Sequence, residues 1–413
     1  MIKKILLPIF LIAAIIPFQT KTYADRPFND FKAAFIRNND LWIKNGTQEN
    51  RITNGGDIRY PKWSPDGNWL AYLKGSKGSW EFSHDGELWL YNMKMNKHVQ
   101  VKAKVNNNFQ WSPRENKVSF LVNKDLFVLN TEPIHPFLAN QIAANVENFS
   151  WYPNGKDLLF SAKESTQLYS DIILSKTSLE TNRQKPVIKH IYTIPVGENE
   201  YYISTSQFKW SPDNKWVSFL LNPTASLSAD TNTLCLLSHD GQVFKEVDEM
   251  LNYEVWFQWA PTKNVLGYIN GYGRVALKNK QLTTITLPSF HKGIFTRRGF
   301  AARDFSWKNN HKLYVSRSKE SALVDVNKRP LPSIYKITNK QKQVTFPAKN
   351  EGDFSPQIAN NHLFWIRTDR QTANILVSPL NDPEENKWIK NITLASWYYE
   401  KWNWEEVFSL YKG

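Results

Sequence analysis

Lys62-Trp63-Ser64-Pro65-Asp66-Gly67, followed by the apolar run Trp69-Leu70-Ala71-Tyr72-Leu73, is the stretch whose reading decides the fold. An aromatic ends one short strand, Pro presets φ for a turn, Asp caps the turn, Gly accepts a positive φ, and a second strand follows. Six further copies read Gln110-Trp111-Ser112-Pro113, Ser150-Trp151-Tyr152-Pro153-Asn154-Gly155, Lys209-Trp210-Ser211-Pro212-Asp213, Gln258-Trp259-Ala260-Pro261, Ser306-Trp307 and Asp353-Phe354-Ser355-Pro356. Successive aromatics lie 48, 40, 59, 49, 48 and 47 residues apart. A repeat of that length, one four-stranded antiparallel sheet per unit, is the signature of an all-β propeller.

Third strands follow at Glu87-Leu88-Trp89-Leu90-Tyr91, Asp125-Leu126-Phe127-Val128-Leu129, Asp171-Ile172-Ile173-Leu174 and Thr233-Leu234-Cys235-Leu236-Leu237. Gln281-Leu282-Thr283-Thr284-Ile285-Thr286 reads as a more polar fourth strand. A single turn of helix is expected near Ile134 to Ala144 and no other helix. Ahead of the first motif, Lys32 to Ile36, Asp40 to Ile43 and Asn50 to Thr53 look like the last three strands of a unit lacking its first. Ala395-Ser396-Trp397-Tyr398-Tyr399, similar to Phe149-Ser150-Trp151-Tyr152, is expected to supply it and so close the ring. That counts eight blades; seven is the alternative if the N-terminal strands pad an existing blade.

The N-terminus has Lys3-Lys4, an apolar run from Ile5 to Phe18 and then Thr22-Tyr23-Ala24, the order of a secretory signal peptide. Cleavage after Ala24 is expected, leaving residues 25–413 as one propeller domain. The apolar run is too short to cross about 30 Å of hydrocarbon. Cys235 is the only cysteine, so the mature chain has no lipid anchor on a leading cysteine and no internal disulfide. The expectation is a periplasmic or secreted, cell-wall-associated monomer that is neither a lipoprotein nor membrane-spanning.

The 52 Lys and Arg fall to 49 once Lys3, Lys4 and Lys21 are removed, against 38 Asp and Glu. The net charge of +11 would draw the protein towards anionic wall polymers, although plain solubilising charge is the preferred account, since no run of five or more basic residues occurs. Nucleic acid is not an expected partner of an exported chain.

With Trp-Ser-Pro-Asp-Gly at Trp63 to Gly67, its variants elsewhere, and third strands of the form Asp-Leu-Trp-Ile and Glu-Leu-Trp-Leu-Tyr, the chain resembles the TolB-type (WD40-like) propeller repeat. The likeness extends over nearly all of the mature chain. Similar blades occur in TolB, in prolyl-oligopeptidase-like peptidases and in oligogalacturonate lyases, so the resemblance implies a fold and leaves function open. The strands begin close to the expected cleavage site and the sequence runs to Gly413; neither an α/β domain ahead of the propeller nor a hydrolase domain behind it is expected.

No Gly-x-Ser-x-Gly nucleophile elbow is present, and no two of the eight histidines sit three or four apart. No catalytic residue, metal or cofactor is therefore expected. Ser-His-Asp-Gly at Ser83 to Gly86 and at Ser238 to Gly241 occupies different registers and reads as turns, and Gly271-Tyr272-Gly273 reads as a hairpin. The motif tryptophans are expected to wedge between neighbouring blades.

Two apparent insertions, Ile191 to Ser206 and Pro288 to Arg303, break the compact pattern. The second carries His291, Lys292, Arg297, Arg298 and Arg303, a candidate anion-binding loop. Trp397-Tyr398-Tyr399-Glu400-Lys401-Trp402-Asn403-Trp404 packs five aromatics into eight residues, more than one strand buries, so Trp397, Tyr398, Tyr399, Trp402 and Trp404 are candidate partner contacts. The expected function is a protein-binding or scaffolding module at the bacterial envelope. A polysaccharide-binding or polysaccharide-degrading enzyme with its site in the central funnel is the alternative.

Overall fold

Each motif folds as the turn chemistry requires. Ser64 Oγ donates to Asp66 Oδ1 (2.7 Å), the Trp69 amide donates to Ser64 Oγ (3.0 Å), and Gly67 takes φ +66°. Ser211 and Asp213 repeat this arrangement at 2.6 Å, as do Ser238 and Asp240. Ser238–Gly241 is thus a turn, as read. The computed structural model describes residues 30–75, 85–132, 138–179, 186–197, 201–322, 324–382 and 384–413. The expected signal peptide, Ser83, His84 and residues 198–200 lie outside these.

The chain forms successive antiparallel groups, mostly of four strands in sequence order. In the fourth sheet the order is Val146–Trp151, Asp157–Lys163, Ile172–Ser178 and Val187–Ile194. Second strands such as Trp69–Lys74 are buried on both faces, whereas fourth strands such as Val187–Ile194 are largely exposed. That gradient arises when sheets stack face to face with their first strands innermost. First strands of consecutive sheets accordingly touch: Phe408–Tyr411 meets Arg59–Trp63, Lys209–Trp210 meets Phe257–Trp259, and Phe300–Asn309 meets Gly352–Ala359. The second and third groups, Arg59–Trp63 to Lys97–Val105 and Gln110–Trp111 to Ala139–Ala143, are joined by the single pair Val105 to Val122.

The motif tryptophans link neighbouring first strands. Trp111 Nε1 donates to Lys62 O (2.9 Å), Trp151 to Gln110 O (3.3 Å), Trp210 to Trp151 O (3.1 Å), Trp259 to Lys209 O (2.9 Å) and Trp307 to Gln258 O (3.0 Å). Each ring packs between two sheets while its one polar atom is satisfied by the sheet before.

The strands Lys32–Arg37, Asp40–Asn45 and Gln48–Arg51 form a sheet with a C-terminal strand, as anticipated, but that strand is Phe408–Tyr411 and not Ala395–Tyr399. Phe35 pairs with Phe408 and Lys32 with Tyr411. Trp397–Tyr398 instead pairs with Lys401–Trp402 in a separate two-stranded hairpin. The motif-like Ser-Trp-Tyr misled because spacing alone does not reveal a long connection placed just before the last strand.

Three other expectations change. Ala139–Ala143 is a strand rather than a helical turn, residues 134–137 of that expectation lying outside the described ones, and among the described residues the α-helix is Ala225–Asp230. Gln281–Thr286 is the third strand of its sheet, displaced by the long Gly271–Lys280 connection, so the fourth strand, His291–Ile294, falls inside the supposed insertion from Pro288. The other supposed insertion likewise contains the end of Val187–Ile194 and the strand Tyr202–Thr205.

Candidate partner-binding face

The connection between Asn386–Ile392 and Phe408–Tyr411 carries the aromatic cluster, and its hairpin turns on two residues, Tyr399 (φ 48°) and Glu400 (φ 69°). Positive φ at both central positions is the type I′ geometry that favours Asn-Gly. Among the described residues, the other two-residue turns of this kind use asparagine: Asn38-Asn39, Asn123-Lys124 and Asn360-Asn361. Tyr399-Glu400 has neither Asn nor Gly, so its backbone is strained and must be held by what surrounds it.

Glu400 does the holding. Its side chain is 0% exposed and faces three guanidiniums: Arg303 (3.4 Å), Arg329 (3.6 Å) and Arg370 (3.3 Å). Arg303 lies at the start of a first strand, Arg329 in the next connection of that sheet and Arg370 in the corresponding connection of the following sheet. Burial lowers the pKa of Arg303, opposed by Glu400 and Asp304. Arg303 also donates to Glu400 O, and the Ala276 amide donates to Tyr399 O (3.0 Å). Beneath the turn, Trp397 stacks on Trp402 (5.7 Å) and Trp402 on Trp404 (5.0 Å, 4° between planes), against Phe354. Tyr253 Oη donates to Trp402 O, Lys401 Nζ to Asn252 O (2.8 Å), and Asn403 Nδ2 to Tyr60 Oη (3.2 Å). The connection is therefore fastened to several sheets at once.

The sequence-derived aromatics separate into two groups. Trp402 and Trp404 are buried and Trp397 is half-buried, so these three are packing residues. Tyr398 and Tyr399 are each 38% exposed and meet edge to face at 4.6 Å. Arg274 lies 5.9 Å from the Tyr399 ring, fixed by Asp230 (Nε to Oδ1, 2.8 Å). The result is an exposed aromatic pair beside a positioned cation, on a rigid base.

The basic loop does not hold together as a site. Arg303 is 2% exposed and belongs to the Glu400 cluster. Lys292 is exposed but bonded to Asp248 (3.1 Å) and Val247 O (2.8 Å). His291, Arg297 and Arg298 are exposed, His291 on the fourth strand and the arginines on the connection after it. Glu400, Arg329, Arg370 and Arg274 were missed in the sequence because their meeting depends on connections from different sheets; the only local signal was a charged pair, Glu400-Lys401, at the centre of an aromatic run.

Ionisable groups on the first strands are also perturbed. Burial lowers Lys62 to about 8, and its Nζ donates to Asn107 O and Phe109 O (both 2.9 Å). Lys209 is lowered likewise and donates to Phe257 O (3.0 Å). Burial raises Asp304 to about 6, against bonds from the Ser355 amide (3.0 Å) and Trp256 Nε1 (3.1 Å). Each of these groups has protein partners that link neighbouring sheets. Among the described residues, no group of three or more His, Cys, Asp or Glu is placed to hold a metal ion, and no helix is long and apolar enough to cross a membrane.

No family model matches the chain, and no curated protein does. Among solved structures, Porphyromonas gingivalis dipeptidyl peptidase 4 is similar with a TM-score of 0.61 at 10% identity, over 88% of this chain and 58% of that one. A puromycin hydrolase is similar with a TM-score of 0.51 at 9% identity, over 83% of this chain and 55% of that one. The β-propeller domain of the Trilobed protease from Pyrococcus furiosus has a TM-score of 0.42 at 11% identity, over 80% of this chain and 98% of that one. The chain spans a little over half the length of the first two. Likeness at such low identity is one of fold, and together with the stacked four-stranded sheets it makes this an all-β protein of the propeller class.

Proposed function

We propose that the chain is an exported, eight-bladed TolB-type propeller, its ring closed by Lys32–Arg37 and Phe408–Tyr411, that acts as a protein-binding or scaffolding module at the bacterial cell envelope. The observation that carries this reading is the strained, buttressed hairpin that exposes Tyr398 and Tyr399 beside Arg274. A surface whose backbone is already fixed loses little further entropy on binding, and paired tyrosines with a nearby arginine supply the contacts that dominate protein interfaces. Export is supported by the order of charge, apolar run and small residues over residues 1–24.

The test is recovery of partners from cross-linked envelope extract by the mature protein and by a Tyr398→Ala, Tyr399→Ala variant. One protein recovered in stoichiometric yield by the wild type and lost by the variant, at unchanged melting temperature, is the expected result. Equal recovery by both would remove the hairpin from the function. Perturbed groups such as Asp304 and Lys62 favour a second reading, a polysaccharide-binding or polysaccharide-degrading site in the central funnel. Sedimentation with purified wall and release of reducing ends by wild type, lost on Lys62→Gln, would support that reading instead.

A further inference from the structure

A groove of about 590 Å³ opens where the sheet containing both chain ends meets the strand Asn386–Ile392, and its lining includes Arg37, Lys44, Glu49, Lys387, Trp388 and Lys390. Four cations therefore face one carboxylate. Glu49 is shared between Arg37 (2.7 Å) and Lys44 (3.2 Å), which leaves Lys387 and Lys390 with no ion pair among the described residues. Arg37 is held in place: its Nη2 donates to Lys390 O (2.6 Å), and its guanidinium lies over the rings of Phe35 (4.8 Å) and Trp42 (5.0 Å).

Arg37 Nε and the indole N–H of Trp388 have no protein acceptor, but both atoms are buried beneath the lining, as are the equally unpartnered indole N–H groups of Trp42, Trp402 and Trp404 in other parts of the core. What the groove presents to a ligand is the positive charge of Lys387 and Lys390 beside the fixed guanidinium of Arg37. The lining is rich in cations and N–H donors, and its one carboxylate is already shared. A cation would be repelled, and a neutral ligand would leave the positive charge unbalanced. A phosphate, sulfate or carboxylate accepts hydrogen bonds from all sides and supplies the missing charge. The volume exceeds that of a bare ion and suits one carried on a sugar-sized body.

We infer that this groove is a binding site for an oxyanion group, phosphate, sulfate or carboxylate, borne by a larger ligand or free. The site does not rest on the hairpin, and it places anion recognition at the junction of the two chain ends rather than on Pro288–Arg303.

The experiment is calorimetric titration of the mature protein at low salt with inorganic phosphate, inorganic sulfate and polygalacturonate, for the wild type and for Lys387→Gln with Lys390→Gln. Both lysines are exposed, so the variant keeps its fold. Saturable binding of at least one probe, weakened at least tenfold in the double variant and by added salt, is expected. Saturation by phosphate or sulfate identifies a tetrahedral group, and saturation by polygalacturonate alone identifies a polymeric carboxylate. Absence of saturable binding, or equal binding by wild type and double variant, would overturn the inference. The Tyr398→Ala, Tyr399→Ala protein should bind the probe as the wild type does, which separates this result from the fate of the hairpin reading.

Discussion

Trp63 Nε1 donates to the carbonyl oxygen of Ser409 at 3.1 Å, across 346 residues of chain. It is the same bond that Trp111 makes to Lys62 and Trp307 makes to Gln258, here carried between the first motif and the last strand. Lys32 Nζ lies 4.2 Å from the Trp63 ring, and Tyr411 Oη donates to Pro65 O (3.1 Å) around the same turn. With no disulfide possible, the union of the two chain ends rests on such contacts.

Trp63→Phe keeps most of the ring and removes the donor, leaving the Ser409 carbonyl without its side-chain partner. A loss of about 1–2 kcal/mol is expected. Urea unfolding checks it, and Trp111→Phe, which breaks the equivalent bond, should cost a similar amount.

Phe408, 4% exposed on the strand that pairs with Lys32–Arg37, is a core residue of that sheet, whereas Trp397 stacks half-buried in the hairpin. Phe408→Ala is therefore expected to cost about 3–5 kcal/mol, as truncation of a core aromatic does. Trp397→Ala should cost less, about 1–2 kcal/mol, because surface next to water is lost rather than a sealed cavity opened. Melting curves of the two variants decide the order.

Removing the carboxylate charge at Glu400 would take from Arg303, Arg329 and Arg370 the one anion that all three share. Glu400→Gln is expected to cost about 3–5 kcal/mol. The strained turn should open before the sheets do, so hydrogen exchange at Tyr398 to Trp402 should accelerate in the variant while the strand Phe300–Asn309 stays protected.

Asp304 sets a pH dependence of definite sign. Its carboxyl, raised by burial to about 6 in the fold, keeps its proton longer than the unfolded value of about 4 allows. Between those values the folded state binds more protons, so this group's contribution is fully present below about pH 4 and declines as pH rises through about 6. Asp304→Asn should flatten that part of the profile. The difference between urea midpoints of wild type and variant from pH 4 to 7 isolates it, with no change in difference as the failing result.

The sequence by itself determined whatever is local and repeated. Turn chemistry at Ser64-Pro65-Asp66-Gly67, alternation in the third strands and the spacing of Trp63 to Phe354 specify an all-β stack of sheets, because each unit's short-range pattern is written in its own residues. It also showed that the N-terminal strands needed a C-terminal partner. Only the tertiary structure decided that Phe408–Tyr411 rather than Trp397 supplies it, that Arg303 lies inside with Glu400, and that Arg37 and Lys390 share a groove. Those facts depend on connections from different sheets meeting in space, and a long connection such as Thr393 to Val407 carries no periodicity from which its path could be read. Charge in a sequence is only a count, and whether an arginine is a surface contact or a buried counter-ion is settled by what the fold brings against it.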